Sequence, residues 1–571
     1  MKGGRMDRVE RFFRWCSHLR SERNTGILRC AQNDDNSDFE ANNFGFAIAR
    51  LKKSGPGRVE MTGKRHWRVV ALVACGLLSF GPCAMAQSAA TAATAKTASA
   101  EKTDTKAPAQ AQPWKKIPVP PLHEFRPQQP KRIELANGLV IFLQEDHELP
   151  FIDGSILIRG GSREEPAAKV GLVSMYGEAW RTSGSTAKSG DALDTELAEK
   201  AASIETGGGA ANTSVEWSSF KQDFDSVFGE TMDLLLHPAF KADKLAMAQR
   251  EMDTGISRRN DDAGAIAERE SAMLVYGASS PYAREAEYAT VDAVTVEDLN
   301  AWHDRTVAPN GMIVSVEGDF DPAAMEAKLR RAFEPLPRGR AMETPKIEVP
   351  APRPGVYFAD KEDVDQSTVE IAGLGTERSN PDYYALSVMN EIYSGGFGSR
   401  VFQYVRTKLG LAYSVGGSYG AAYDHPGVFR SEAGTKSAST VAATQAVLQV
   451  IGQLKTAPPT AEELRRAKDE VMNSFIFNYD TPEKTLNEQV TLAFYGYPSD
   501  YLERYRDGIE RVTAADVTRV ANKYVDVSKL AIVVVGNKSE IEPPLSALGK
   551  VTNLDIAIPP PAEKAGQAAG R

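Results

Sequence analysis

The sequence predicts an α+β body made of two homologous domains, each a mainly antiparallel sheet covered by helices on one face. One observation behind this fold class is an internal repeat, because Val294–Leu299 (VTVEDL) recurs 218 positions later as Val512–Val517 (VTAADV). The other is the order of elements in each copy, where strands and amphipathic helices form separate groups. Such segregation is typical of a sheet layer packed on a helix layer. Two such domains are expected to leave a crevice between them.

The limits of the two domains follow from the start and end of each copy. Asn137–Phe142 (NGLVIF) opens one copy and Pro354–Phe358 (PGVYF) opens the other, and each copy closes on an apolar run that ends in glycine. The segment between the copies is polar and rich in proline, which is typical of a linker. We therefore expect a first domain, a linker, a second domain and a flexible tail, at residues 131–338, 339–354, 355–545 and 546–571.

Capping residues indicate where the helices begin. Thr295 and Thr513 each precede a periodic apolar stretch and each has an aspartate three residues later, which is a variant of the capping box. Thr460 with Glu463 is a complete capping box. Asn380-Pro381 predicts a cap followed by proline at the first helical position.

The charge of the body excludes one class of function. The chain of 571 residues has a formal net charge of −9, and because its first 86 residues are basic, the remainder carries −16. An acidic body argues against nucleic acid as a partner. All four cysteines lie before residue 87, so the body has neither a disulfide nor a thiolate metal ligand.

Residues 61–86 have the form of an export signal. Three basic residues precede the apolar stretch Val69–Phe80, which is too short to span a bilayer as a helix. Ala84–Ala86 provides a small-x-small cleavage site. The alternative is a lipoprotein, because the segment ending at Cys75 fits a lipobox, but the apolar run continues past that cysteine.

The position of this signal affects the rest of the N-terminus. Residues 1–60 stand in front of it, and we interpret them as a mis-called start, with a cytoplasmic extension as the alternative. Residues 87–130 are rich in Ala, Thr, Lys, Gln and Pro and are expected to form a disordered tether. We expect an exported, periplasmic protein with no transmembrane helix in its mature chain.

The first candidate site is the segment Gly171–Trp180 (GLVSMYGEAW). Zinc hydrolases of the H-x-x-E-H type carry two histidine ligands and a glutamate base on one helix face, and the corresponding positions here hold Ser174, Gly177 and Glu178. A hydroxyl, a hydrogen and one carboxylate do not provide three protein ligands for zinc. The histidines after residue 86 do not repair this deficit, since none lies within five residues of another. Glu178 is accordingly interpreted as a solvated helix residue.

The surroundings of this segment resemble the pitrilysin/insulinase family of inverzincin peptidases. The similarity covers residues 131–540 and is greatest to the small bacterial two-domain members related to mitochondrial processing peptidase. The resemblance implies a third zinc ligand about 75 residues after the motif, where Gly255 stands, with Glu251 as an alternative register. It also implies that the two domains form half of a clamshell.

The second half carries a longer match to the same family. Residues 395–415 (GGFGSRVFQYVRTKLGLAYSV) resemble the signature G-G-x-x-S-R-L-F-x-x-[VL]-R-x-x-x-G-L-x-Y-S-V. The resemblance implies that Arg406 and Tyr413 point into the chamber and donate hydrogen bonds to the carbonyl oxygens of a bound peptide. Two structural alternatives stand beside that role: a surface salt bridge for Arg406, and a buried phenol for Tyr413, which shares strand parity with Leu411 and Val415.

The glycine clusters receive structural interpretations. Gly395, Gly396 and Gly398 are expected to permit a tight turn and close helix packing rather than phosphate binding. Gly410 is expected to end the helix that carries Arg406 as a left-handed cap. Residues 207–209 are expected to form a flexible hinge between strands.

These features predict a non-catalytic, substrate-binding subunit of a periplasmic heterodimeric zinc endopeptidase. No cofactor is expected in this chain, and zinc is expected in a homologous partner that carries H-x-x-E-H. One alternative is a catalytically inert scaffold or peptide-binding protein, like the core proteins of the bc1 complex. Another is an active homodimeric peptidase with an unusual site.

Overall fold

The computed structural model describes residues 125–346 and 348–561. The export signal, the possible lipid attachment at Cys75 and most of the expected tether lie outside these residues and stay predictions. Among the residues described, no helix is both long enough and apolar enough to cross a membrane.

The first half contains six strands and eight helices. Its central strand, β6, is a run of apolar residues buried on both faces, as expected for a strand covered on two sides. In chain order the elements are β1 (Lys131–Glu134), β2 (Val140–Glu145), β3 (Phe151–Arg159), α1 (Leu172–Ser183), α2 (Gly190–Lys200), β4 (Ser203–Gly208), β5 (Asn212–Phe220), α3 (Phe224–Leu236), α4 (Ala242–Arg258), α5 (Ala263–Tyr276), α6 (Tyr288–Asp292), α7 (Val296–Thr306), β6 (Met312–Gly318) and α8 (Pro322–Phe333).

The second half repeats this order with local differences. Its central strand, β13, is also completely buried. The elements are β7 (Gly355–Asp360), β8 (Gln366–Leu374), β9 (Thr376–Glu377), α9 (Tyr383–Ser394), a π-helix (Phe402–Lys408), β10 (Ser414–Tyr419), β11 (Ala421–Ala422), β12 (Val428–Lys436), α10 (Thr440–Thr456), α11 (Ala461–Ile476), α12 (Pro482–Tyr495), α13 (Tyr501–Arg511), α14 (Ala514–Tyr524), β13 (Ala531–Gly536) and β14 (Val551–Asn553).

The two six-stranded sheets share the arrangement of five strands and differ in the sixth, an edge strand, and their mainly antiparallel pairing confirms the predicted fold class. The first is ordered β1-β2-β6-β3-β5-β4 and the second, written from its other edge, β14-β7-β13-β8-β12-β10. Most pairs are antiparallel, while β2–β6 of the first half and β7–β13 of the second are parallel. At the differing edge, β1 is antiparallel to β2, whereas β14 is parallel to β7. Each sheet packs one face on the helices of its own half, which gives two large apolar cores.

The other face of each sheet is also covered, which corrects the expectation of a sheet with helices on one face only. Helix α12 of the second half packs on β2 and β6, and its Leu486, Val490 and Phe494 are buried in a small core there. Helix α5 of the first half packs on β8 and β13 in the same way. The apolar residues on both faces of β6 and β13 require this second cover, because otherwise one side of each strand would face water.

The capping predictions are confirmed at three helices. The side chains of Thr295, Thr460 and Thr513 each accept a hydrogen bond from the third helical N–H, and the acidic residue at that position accepts one in return. Helix α9 begins two residues later than Asn380-Pro381 suggested, because the Asn380 carboxamide caps the turn by accepting from the N–H of Asp382.

The expectation of a flexible tail from residue 546 is wrong as far as Ile558. Strand β14 pairs in parallel with β7, and the N–H of Leu554 donates to the carbonyl of Phe358 at 2.7 Å. Ile556 then packs beside α5 and accepts a hydrogen bond from the Asn260 side chain, while Ile558 contacts the core of the first half. The apolar residues of this segment find partners in both halves, so it is bound to the body.

Candidate functional site

Helix α1 carries the degenerate zinc positions, and they do not share one environment. Ser174 and Glu178 lie one turn apart on the exposed side of the helix. Gly177 is buried on the opposite side, against strand β4. The hydroxyl and the single carboxylate therefore face solvent, and the position of the catalytic base faces backbone.

The contact between α1 and β4 leaves no room for a side chain at residue 177. A Cβ atom built on Gly177 would lie 2.7 Å from the nitrogen of Gly208 and 2.8 Å from the carbonyl carbon of Gly207. The Thr206 hydroxyl donates to the Gly177 carbonyl at 2.5 Å and holds the helix there. The two glycines are thus part of a packed strand, which corrects the expected hinge at residues 207–209.

The expected position of a third ligand is equally unsuited to metal. Gly255 on α4 is exposed and offers no donor atom, and Glu251, the alternative, is also exposed. Met252 is the residue of that helix that approaches α1, since its methyl group would lie 2.8 Å from a Cβ atom on Gly171. Across the described residues, no group of three or more His, Cys, Asp or Glu side chains is arranged to hold a metal ion.

A cavity of about 170 Å³ lies at the start of α1. Its polar wall includes Ser174 and Arg284, and Met252 contributes a thioether. The neighbouring Glu165 carboxylate accepts hydrogen bonds from the N–H groups of Gly171 and Val173, both at 3.1 Å. Burial raises the pKa of Glu165, and these two N–H groups act in the opposite direction. The carboxylate therefore serves as an internal cap for the helix.

The histidines of the described residues are dispersed. His303 is buried beneath α1, where its Nδ1 atom lies 2.8 Å from the Tyr176 hydroxyl, and burial lowers its pKa to about 4. His147 lies between Glu145 and Asp319 at the surface. His237 is exposed at the end of α3, and His425 stacks on Tyr282 near the junction of the two halves.

Arg406 and Tyr413 are brought together in the second half. Arg406 lies on the π-helix, and its guanidinium carbon is 4.8 Å from the centre of the Phe402 ring and 5.1 Å from that of Tyr413. Tyr413 immediately precedes β10, with its N–H bound to the carbonyl of Gly434 and its side chain 79% exposed. The cation is thus held between two ring faces at the surface.

The two structural alternatives for these residues are not observed. Tyr413 is not a core phenol, because it is one of the most exposed large side chains of the described chain. Arg406 forms no ion pair with any carboxylate in the part of the chain that the structure describes. Gly410 has φ +64°, so it takes the left-handed conformation expected of the residue that ends this helical segment.

The glycine-rich turn before the π-helix permits close packing, as expected. Gly396 has φ +60°, and a Cβ atom on Gly398 would lie 2.2 Å from the Arg466 guanidinium. The turn also presents Phe397, which is 65% exposed and contacts Phe402 edge to face. Motif matching did not single out either phenylalanine, although both lie inside the matched segment.

Comparisons with known proteins agree with this geometry. Residues 293–471, which include Arg406 and Tyr413, match the family model described as the peptidase M16 inactive domain. The chain is 22% identical over 417 residues to a protein from Helicobacter pylori named as the non-peptidase homolog YmxG, covering 72% of this chain and 94% of that protein. It is 23% identical to an uncharacterized zinc protease from Rickettsia felis, covering 68% and 93%.

A solved structure has the same fold. The crystal structure of a peptidase M16 inactive domain from Pseudomonas fluorescens aligns with 73% of this chain and all of its own, with 25% identity and a TM-score of 0.65. Together, the fold and the site define a two-domain homologue of zinc peptidases. In sequence and fold the chain is similar to the peptidase M16 family, and it lacks the zinc motif, in agreement with the predicted resemblance to pitrilysin and insulinase.

Proposed function

We propose that this protein is the non-catalytic, substrate-binding subunit of an exported heterodimeric zinc endopeptidase acting on peptides or unfolded proteins. The observation that carries this proposal is Arg406, a surface cation held between the rings of Phe402 and Tyr413 and unpaired with any carboxylate of the described residues. An arginine whose guanidinium is held in place by neighbouring rings but is not paired with a carboxylate is suited to binding a ligand.

The chemistry of the pair fits an extended polypeptide. A guanidinium offers five N–H donors in a fixed plane, and the exposed Tyr413 hydroxyl offers one more. Carbonyl oxygens of an extended chain are acceptors at regular spacing. Fixing a peptide relative to a reacting group in this way removes much of the entropic cost of reaction.

The residues of this chain do not fit a zinc ion of their own. Gly177 has no space for a glutamate base, Gly255 has no donor atom, and Ser174 supplies only a hydroxyl. Hydrolysis by the proposed complex therefore depends on a homologous partner with H-x-x-E-H. In that arrangement this chain binds and positions the peptide and takes no part in proton transfer.

Reconstitution with candidate partners tests the proposal. A quenched fluorescent peptide is incubated with this chain, with an H-x-x-E-H homologue, and with both. We expect hydrolysis only in the mixture, with about a tenfold or larger loss for Arg406→Ala and a smaller loss for Tyr413→Phe. Arg331→Gln, an exposed cation on α8, is the matched control and should leave the rate unchanged. Full activity of the homologue alone would remove the proposal.

A second candidate is a catalytically inert peptide-binding or scaffold protein. The name of the Helicobacter pylori relative, a non-peptidase homolog, favours this candidate function. The same reconstitution separates the two candidates. Peptide binding that depends on Arg406, with no hydrolysis in any mixture, supports the inert binding protein, whereas zinc bound stoichiometrically by this chain excludes both.

We also propose a periplasmic location. It rests on the sequence of residues 61–86, with cleavage after Ala86. Cell fractionation and N-terminal sequencing test it, and a mature chain that starts at Gln87 is the expected result. A mature chain that starts at Cys75 and incorporates labelled fatty acid would identify a lipoprotein instead.

A further inference from the structure

Four side chains form a continuous row with a partly buried middle and exposed ends, which we call the cationic aromatic row: Phe397, Phe402, Arg406 and Tyr413. The ring centres of Phe397 and Phe402 are 4.8 Å apart, and Arg406 lies over both Phe402 and Tyr413. Both ends of the row are mostly exposed, and Leu409 beside it is 42% exposed. Contiguous large apolar side chains at a surface mark a binding site more often than isolated ones do.

The stretch of chain that carries the row is basic in sequence. Between Ile392 and Tyr423 the sequence has three basic residues and no Asp or Glu, within a chain of net charge −9. One of the three, Arg400, forms an ion pair with Glu463. Arg406 and Lys408 have no ion-pair partner in the described ranges, and each lies over an aromatic ring instead. A carboxylate-bearing ligand complements this charge.

The end of strand β10 that is farther from Tyr413 is already occupied at the sheet edge. On β10, the Gly417 N–H donates to the Ser394 hydroxyl at 2.9 Å, and the Tyr419 N–H donates to the Asn390 carboxamide at 2.8 Å. The Asn390 side chain donates in turn to the Tyr419 carbonyl. Helix α9 thus satisfies the outward backbone groups of this strand end. A peptide cannot pair with it there, so recognition depends more on side chains.

We infer that the cationic aromatic row selects extended segments with an acidic side chain for Arg406 and a large apolar side chain for Phe397, two residues apart. This inference rests on the peptide-binding function proposed above and adds a preference in sequence. A guanidinium binds a carboxylate through two parallel N–H···O bonds, which a carbonyl oxygen cannot match. The rings of Phe402 and Tyr413 hold the Arg406 guanidinium in place before a ligand binds, so less side-chain freedom is lost on binding.

The spacing of the row matches an extended chain. Arg406 and Phe397 each lie 4.8 Å from the Phe402 ring centre, so their separation is at most twice that distance. Side chains two residues apart on one face of an extended peptide are separated by about 7 Å. This upper limit allows a segment of the form acidic-x-aromatic, in either direction, to reach both groups at once.

Binding of four labelled decapeptides to the full-length protein, measured by fluorescence anisotropy, tests this inference. The peptides are amidated at the C-terminus, so that a terminal carboxylate cannot contribute, and they contain Asp-x-Phe, Asn-x-Phe, Lys-x-Phe or Asp-x-Ser. We expect Asp-x-Phe to bind at least about tenfold more tightly than Asn-x-Phe, because a hydrogen bond to a charged group exceeds a neutral one. Lys-x-Phe and Asp-x-Ser should bind more weakly than Asp-x-Phe.

Variants assign the preference to residues. Arg406→Gln should abolish the difference between the Asp and Asn peptides, and Phe397→Ala should abolish that between the Phe and Ser peptides. Phe477→Ala, which removes a ring that is 57% exposed elsewhere on the second half, is the matched control and should preserve both. Equal binding of all four peptides overturns the selectivity and leaves the proposed function standing. Failure to bind any of them overturns both.

Discussion

Gly177 and Gly208 are packed backbone against backbone, at a distance that a single Cβ atom on Gly177 would reduce to 2.7 Å. The contact joins the helix that carries a catalytic glutamate in zinc-dependent relatives to the edge strand of its own sheet. The missing base is therefore more than a substitution, because neighbouring backbone now occupies the space of its side chain.

Replacement of Gly177 by alanine is expected to destabilise the protein by about 1–3 kcal/mol, since the added methyl group must displace strand or helix backbone. Urea unfolding of the purified variant measures the change. Gly255→Ala is the matched control, because it lies in a helix of the same half with no atom within 4 Å of the new Cβ atom. That variant should gain about 0.5–1 kcal/mol from helix propensity.

The same contact limits any attempt to restore the zinc motif. A variant with Ser174→His, Gly177→Glu and Glu178→His is expected to bind no stoichiometric zinc while it remains folded. Metal analysis after dialysis checks the first point, and circular dichroism checks the second. A folded triple variant with one tightly bound zinc would show that α1 moves away from β4 at little cost.

The buried His303 is expected to make the first half sensitive to acid. Its folded pKa of about 4 is below its ordinary value of 6.5, so the folded state binds this proton less readily than the unfolded state. Stability from this group is fully present above pH 6.5 and is lost as pH falls toward 4, up to about 3 kcal/mol. Unfolding by urea at pH 4.5 and pH 7 in His303→Gln should show a smaller difference than in the wild type.

His237 provides the comparison for that experiment. It is a surface histidine at the end of α3, and His237→Gln should keep the pH dependence of the wild-type protein. If His303→Gln and the wild type lose stability equally on acidification, His303 does not cause the loss.

Glu317 is expected to act in the opposite direction. Burial raises its pKa to about 7, and the nearby carboxylates of Glu483, Asp146 and Asp153 contribute. Because its folded pKa exceeds the ordinary 4.5, its contribution is present below pH 4.5 and is lost as pH rises through 7. Glu317→Gln should therefore be more stable than the wild type at pH 8 by about 1 kcal/mol, after allowance for solvent screening, and similar to it at pH 5. Melting temperatures at the two pH values provide the test.

The exchange of α12 and α5 between the halves is expected to make them unfold together. Phe494 of α12 is 1% exposed in the core over the first sheet, and Arg159 of that sheet lies over its ring. Phe494→Ala should lower the free energy of unfolding by about 3–5 kcal/mol. The three tryptophans of the described residues, Trp180, Trp217 and Trp302, all belong to the first half, so their near-ultraviolet circular dichroism reports a mutation made in the second.

Phe477→Ala is the control for this coupling, because its ring is exposed in the same half. Its removal should change the free energy of unfolding by less than about 0.5 kcal/mol. If Phe494→Ala leaves the unfolding transition seen by the tryptophan signal unchanged but shifts a second unfolding transition, the two halves unfold independently.

Local patterns predicted much of this structure. The capping boxes at Thr295, Thr460 and Thr513 fix helix starts through bonds within four residues of the chain, and they form as expected. The long signature between residues 395 and 415 pointed to Arg406 and Tyr413, and the structure brings the two together. The exposure of Phe397 was not predicted, because the same phenylalanine in a buried turn would have the same neighbours in sequence.

The sequence by itself determined the two-fold repeat, the absence of zinc ligands from α1 and the charge of each segment, because these depend on residue identity and on neighbours along the chain. Only the tertiary structure decided that α5 and α12 each cover the sheet of the other half, that the tail is bound as far as Ile558, and that Gly177 lies against β4. Each of these is a contact between segments tens to hundreds of residues apart. Several helices have a similar spacing of apolar residues, so this spacing does not identify which helix packs on a given sheet. The shape of the completed packing selects which one fits.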